Sequence, residues 1–419
     1  MKWSKKIIFA CMVLGTTISL TACGKTREDA SGKVEIEFFN QKKEMTQTIQ
    51  EIAKDFEAKN PDVHVKVVDV PNAGEVIKTR ILAGDVPDVI NLYPQSIELK
   101  EWAKAGYLED LTEEPYLENI KNGYAQRFAI EDRVYSIPLT ANVYGFYYNK
   151  TAFEEMGIQA PETWAEFEKI VTEIKNQNKV PFAIAGSEGW TLNGYHQLAL
   201  ATAAGGEEEA NNIWRFSEVN GIHAESKEMQ KDFNRLDLLR EPKALQSNWQ
   251  GAGYNDTVVA FTKGDALIMP NGSWAMPMIN SQNPDFEVAT FPFPADETGQ
   301  SLTIGAGDLA LSVSATSQHK EEAKRFVEYM TTPEAMQKYY DVDGAPCAVE
   351  GVIENTQDSP LSGLTELAFT DRHLVWLAKD WNSENDFYTL TTNYLHNGNQ
   401  KAMINALNAF FNPMKADGR

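Results

Sequence analysis

The chain has 419 residues, 42% hydrophobic and 11% aromatic, so it is too long for one ordinary domain and has the composition of a globular protein. That composition excludes a disordered chain and an integral membrane protein. The net charge of −22 becomes about −25 once the three lysines of the first 22 residues are set aside, which argues against nucleic-acid or anionic-lipid partners.

The chain opens on Lys2, Lys5 and Lys6, followed by a 14-residue apolar run from Ile7 to Leu20 that is short for a bilayer span. The run ends in Leu20-Thr21-Ala22-Cys23, which resembles the lipobox of bacterial lipoproteins. The resemblance implies a signal peptide over 1–22, lipidation of Cys23 and a tether over 23–32. Cys11 would leave with the signal and Cys23 would carry lipid. Cys347 then remains without a disulfide partner and reads as a small buried residue.

From residue 34 the pattern alternates strand and helix. Val34 to Phe39 alternates as a strand, and Met45, Ile49, Ile52 and Phe56 fall on one helical face. Strands are expected over 63–68 and 88–92, with a helix through Val76, Ile77, Ile81 and Leu82 between them. This β-α-β-α-β order predicts a parallel sheet with right-handed crossovers. Ligands on such sheets gather beyond the carboxyl ends of the strands, which makes the loops 40–44 and 91–96 binding candidates. His64, within a strand, and Asp85 and Asp88, flanking Pro87, read as structural.

Residues 136–149 form the organising stretch. Val143, Gly145 and Tyr147 alternate with Tyr144, Phe146 and Tyr148 as in a two-faced strand, and a helix follows, capped by Asn149 or Thr151 and stopped at Gly157. This stretch reads as a crossing between two α/β lobes. Pro161-Glu162-Thr163-Trp164 opens a second long helix, and residues 181–185 form a buried strand that delivers Trp190 to the loop beyond it. A strand over 266–269 precedes Pro270-Asn271-Gly272-Ser273-Trp274, which reads as a helix start. Residues 286–294 suit a second crossing and Thr331 to Glu334 a third. The expected division is a first lobe of 33–140 with 288–330 and a second of 141–287 with 331–419.

No Walker A, Rossmann fingerprint, nucleophile elbow or HExxH spacing occurs, so no catalytic residue, cofactor or metal is expected. What accumulates instead is aromatic residues in Gly- and Asn-rich segments: Trp190, Trp249, Tyr254, Trp274, Phe369, Trp376 and Trp381. Neutral sugars need this mixture, because their C–H faces pack on rings and their hydroxyls need fixed polar partners.

Tyr147-Tyr148-Asn149-Lys150, Phe153, Gly157, Pro161, Thr163-Trp164, Phe167, Asn271-Gly272-Ser273-Trp274 and the segment 326–333 resemble the family 1 extracellular solute-binding proteins of ATP-driven (ABC) sugar importers. Phe39-Asn40-Gln41-Lys42-Lys43-Glu44-Met45, residues 305–310 and Phe369-Thr370-Asp371-Arg372-His373 are similar to the raffinose and multiple-sugar-binding lipoproteins within it. The resemblance implies a two-lobed, periplasmic-binding-protein-like (type II) α/β fold with a ligand cleft between lobes joined by about three hinge crossings. It implies a monomer on the outer face of the membrane that binds α-1,6-linked galacto- or gluco-oligosaccharides and meets an ABC permease. Trp190, Trp274 and Phe369 would offer rings, Asp308, Asp371 and His373 would bond the terminal hexose, and Gln41, Lys42 and Asn91 would reach from the first lobe. Lys42 and Lys43 are not distinguished by sequence. A lipid-anchored glycoside hydrolase is the rival reading, since it too needs rings and a pair of carboxylates.

Overall fold

The computed structural model describes residues 32–355 and 359–415, so the expected signal peptide, lipobox and all but the last residue of the tether lie outside the described residues. Among the described residues no helix is long and apolar enough to cross a membrane.

The expected alternation builds the first sheet. Strands β1 (Val34–Asn40), β2 (Val63–Asp69) and β3 (Val89–Asn91) pair in parallel, with β1 central, and helices Thr46–Lys59 and Ala73–Leu82 make the crossovers. The helical face foreseen at Ile49, Ile52 and Phe56 is fully buried. The other strands are β4 (Ile137–Pro138), β5 (Tyr144–Asn149), β6 (Ile268–Gly272), β7 (Val288–Phe291), β8 (Thr303–Gly305), β9 (Ala310–Val313) and β10 (His373–Val375). The first sheet has the order β2-β1-β3-β9-β4 and the second β10-β8-β5-β6, with β7 paired to β5. The chain is two-lobed, one sheet in each lobe.

Local signals placed the helix ends well. Asn149 caps the helix Lys150–Met156 and Gly157 stops it at φ 70°. Thr163 and Glu166 form a reciprocal capping box on Trp164–Asn176. The foreseen helix start at Pro270 is displaced: Pro270 to Gly272 complete β6 against β5, and the turn at Ser273–Ala275 follows.

Two expected crossings move. Residues 288–291 hydrogen-bond to β5, because Phe291 stacks on Phe146 at 5.0 Å and Phe293 on Trp164 at 5.5 Å, both aromatic neighbours from the second lobe. The helix Pro333–Asp343 instead packs on Thr46–Lys59 of the first lobe, tied by the Lys59–Glu334 and Lys338–Asp55 ion pairs. The passages between sheets lie at 139–143, 306–309 and 346–349. They run side by side: Leu139 N–H donates to Leu309 O (2.8 Å), Asn142 N–H to Ala306 O (3.0 Å) and Ala141 N–H to Pro346 O (2.9 Å). Cys347 lies in the last of them, buried, its thiol pushed up to about 12 by desolvation. Buried groups saturating one another in this way give the base of the cleft a continuous backbone ribbon.

Candidate functional site

A cavity of about 350 Å³ lies at the junction of this ribbon with the second lobe, lined by Gln95, Asn142, Trp190, Trp274, Trp376 and Glu384 among others. Each ring is there for a local reason. Trp274 follows directly from the end of β6, and Gly272 before it is required because a Cβ at that position would run into the indole. Trp190 sits on the short turn Gly189–Leu192, which Tyr144 anchors by donating its hydroxyl to Thr191 O at 2.7 Å. Trp190 is 38% exposed, with its ring 5.3 Å from Tyr254 and 6.4 Å from Trp274, while its indole N–H donates to Glu188.

Two polar atoms at this cavity are buried and have no protein partner among the described residues: the indole nitrogen of Trp274, a donor, and the side-chain oxygen of Gln95, an acceptor. Leaving such groups unmade costs about 1–3 kcal/mol each unless something else meets them. The arrangement places flat apolar rings beside one buried donor and one buried acceptor that no described protein group satisfies.

The residues expected from the first lobe are close to one another but do not line this cavity. Lys42 turns inward and its ammonium meets Asp308 at 2.7 Å, whereas Lys43 is exposed, so the structure separates two lysines that the sequence did not. Gln41 donates to Asn91 O at 2.6 Å. Asn91 is fully buried and spends its own amide on Ala310 O (3.0 Å) and on Gln41 N–H (3.3 Å), so it fixes the loop and does not reach for a ligand.

Phe369, Asp371 and His373 fall elsewhere. Phe369 and Asp371 border a second cavity of about 850 Å³ beside Asn122, Arg127 and three consecutive glutamates, Glu207, Glu208 and Glu209. That space is larger, but half of its described lining residues are charged and Phe369 is the one aromatic among them. The smaller cavity is the better candidate for a neutral ligand. His373 does not reach a ligand as expected: it is 1% exposed and both ring nitrogens are used. Its Nδ1 accepts from Phe369 N–H (3.2 Å) and its Nε2 donates to Asn142 O (3.1 Å), which fixes the neutral tautomer. Burial, with the Arg127 guanidinium nearby, pushes its pKa down to about 3. Arg127 also donates to His373 O at 2.6 Å, so this histidine holds the first-lobe segment, the crossing and Phe369 together.

Sequence reasoning named none of Gln95, Asn142, Asn193, Glu384 and Tyr388, all at the smaller cavity, although Gln95 lies in the loop 91–96 already marked as a binding candidate. Asn142 lay within the crossing already singled out, and Ser383 marked a helix start immediately before Glu384. Neither signal pointed to a cavity, because the partners are far apart in the chain.

The model of the family described as "Bacterial extracellular solute-binding protein" matches residues 42–337. The chain belongs to that family. Another solute-binding protein, the "Multiple sugar-binding protein" of Streptococcus mutans, is 56% identical over the full length of both chains. Among solved structures, the apo form of RafE from Streptococcus pneumoniae is 60% identical, with a TM-score of 0.88 over 91% of this chain and 98% of that one. RafE in complex with raffinose, also 60% identical, gives 0.84 over 91% and 100%. The two-lobed solute-binding fold agrees with the one sheet found in each lobe.

Proposed function

We propose that the protein captures neutral α-1,6-linked galacto- or gluco-oligosaccharides, such as raffinose, stachyose, melibiose and isomalto-oligosaccharides, and presents them to an ABC permease without altering them. The observation that carries this reading is the pair of indoles at the 350 Å³ cavity, together with the unpartnered Trp274 nitrogen and Gln95 oxygen. A pyranose stacked on Trp190 and Trp274 would satisfy both atoms with hydroxyls once side-chain shifts uncover them, since each is closed to solvent in the empty protein. Each ring contact is worth about 0.5–1.5 kcal/mol, and with several hydrogen bonds the sum reaches roughly −8 kcal/mol, a micromolar affinity. The relatives named for multiple-sugar and raffinose binding support the choice of ligand. The better fit to the ligand-free than to the raffinose-bound RafE agrees with lobes that move on binding.

In this reading Trp190 and Trp274 touch sugar directly. Phe369 and Asp371 meet a ligand long enough to extend into the second cavity, and Gln41 with the Lys42–Asp308 pair orients the first-lobe loops. Cys23 carries the lipid that holds a monomer at the outer face of the membrane. A retaining or inverting hydrolase needs two carboxyls across one sugar, and Glu384 is the one carboxylate among the cavity's described lining residues.

Calorimetric titration with raffinose, stachyose, melibiose, isomaltose and maltose tests the proposal, with chromatography of each mixture for released monosaccharide. Saturable heats with the α-1,6-linked sugars and no products are expected. Flat isotherms with all five, or turnover of any, would overturn it. Cys23→Ala should move the expressed protein from the membrane fraction to the medium.

A further inference from the structure

Glu384 stands in the first turn of the helix Glu384–Asn397, whose N-cap Ser383 already supplies the local bond that such a start needs. Its carboxylate is therefore not required for capping. It borders the 350 Å³ cavity beside Asn193, Tyr388 and the two indoles. What holds it is a relay of fixed direction. Leu377 N–H donates to Gln197 Oε1 (2.7 Å), and Gln197 Nε2 donates to Asn193 Oδ1 (2.8 Å). Because the Asn193 oxygen is taken, its amide nitrogen must face out, and it donates to Glu384 Oε1. Gln197 and Asn193 are buried, so the relay cannot be replaced by water without loss. Among the described residues no partner is seen for the second carboxylate oxygen, and no cation lines the cavity.

We infer that Glu384 is a specificity-determining ligand residue of this site, accepting hydrogen bonds from two adjacent hydroxyls of the pyranose stacked on Trp190 and Trp274. This rests on the sugar-binding reading above. An ionised carboxylate can accept from two hydroxyls at once, and charge-assisted bonds of this kind are about twice as strong as neutral ones. An amide in its place offers one acceptor and turns the other position into a donor. The residue is exposed, yet desolvation by the protein around it raises its carboxyl above the usual glutamate range, opposed in part by the Asn193 donor. The other titratable groups facing this corner are Tyr388 and Asp386 on its own helix and Glu188 beneath Trp190.

The test is Glu384→Gln, titrated with raffinose at pH 7 beside the wild type, with melting temperatures for both. The inference expects at least a tenfold loss of affinity with a melting temperature equal to or above that of the wild type. Wild-type affinity should also fall as pH drops through the raised carboxyl pKa, with that fall absent in E384Q. Affinity within twofold of wild type, or a loss that comes with a lower melting temperature and an unchanged pH profile, would overturn it. If the wild type binds none of the sugars, the underlying reading fails and this inference with it. If it binds them and E384Q binds equally, only this inference fails.

Discussion

Removing the Trp274 side chain separates a ligand-stacking role from a packing role. The ring is half-buried, 6.2 Å from Tyr144 and 6.4 Å from Trp190, and its nitrogen is buried without a partner. In Trp274→Ala a bound sugar loses a stacking contact of about 0.5–1.5 kcal/mol and a hydrogen bond of about 0.5–1.5 kcal/mol. Together that is about 1–3 kcal/mol, or roughly 5- to 150-fold in Kd. Trp274→Phe keeps a ring but not the N–H, so its loss should be near the lower half of that range. The assay is calorimetry with raffinose on both variants, with thermal unfolding in parallel. Because the orphan nitrogen costs free energy in the empty protein, the phenylalanine variant should unfold no earlier than wild type. An alanine variant that binds raffinose within twofold of wild type would refute the reasoning. So would a phenylalanine variant that loses as much affinity as the alanine one.

Asp308→Ala deprives the inward-turned Lys42 of its carboxylate, and the expected cost is about 2 kcal/mol, between exposed and fully buried pairs, read by urea unfolding. The double variant Lys42→Met, Asp308→Leu should recover part of that loss; a double variant worse than the sum of the singles would sink the pairing argument. His373 makes a pH prediction. Its folded pKa of about 3 lies below the ordinary histidine value of 6.5, so the unfolded chain binds more protons between those two values. Stability from this residue is complete above pH about 6.5 and is lost as pH falls towards 3, with a slope of at most about 1.4 kcal/mol per pH unit. His373→Gln should flatten the unfolding free energy against pH between 4 and 6.5 relative to wild type, and an identical slope would contradict the assignment.

Short-range chemistry was legible in the chain. The first three strands and their two helices follow from alternation and from helical spacing, and the caps at Asn149 and Thr163 and the stop at Gly157 follow from the residues themselves. A crossing within 136–149 was readable because one α/β pattern ends before that stretch and another begins after it. The other two passages were not. Residues 288–291 and the helix Pro333–Asp343 carry apolar patterns that either lobe could bury, and distant neighbours chose between them: Phe146 and Trp164 for the one, Asp55 and Lys59 for the other.

The candidate site divides the same way. Trp190 and Trp274 could be picked out because they fall in Gly- and Asn-rich segments, where a large ring serves either core packing or a ligand. Phe369, with its φ of 62°, gave no hint of its backbone, and His373 looked like a ligand until its two nitrogens were traced to Phe369 and Asn142. Glu384 looked like one more surface acid among sixty Asp and Glu residues. By itself the sequence determined the alternation of the first three strands and two helices, several helix ends and the aromatic character of the candidate cavity, since those depend on neighbours within a few positions. Only the tertiary structure decided which lobe each late element joins, which lysine turns inward and which polar atoms are left unbonded at the cavity. Those outcomes depend on contacts between residues tens to hundreds of positions apart, whose partners no local pattern encodes.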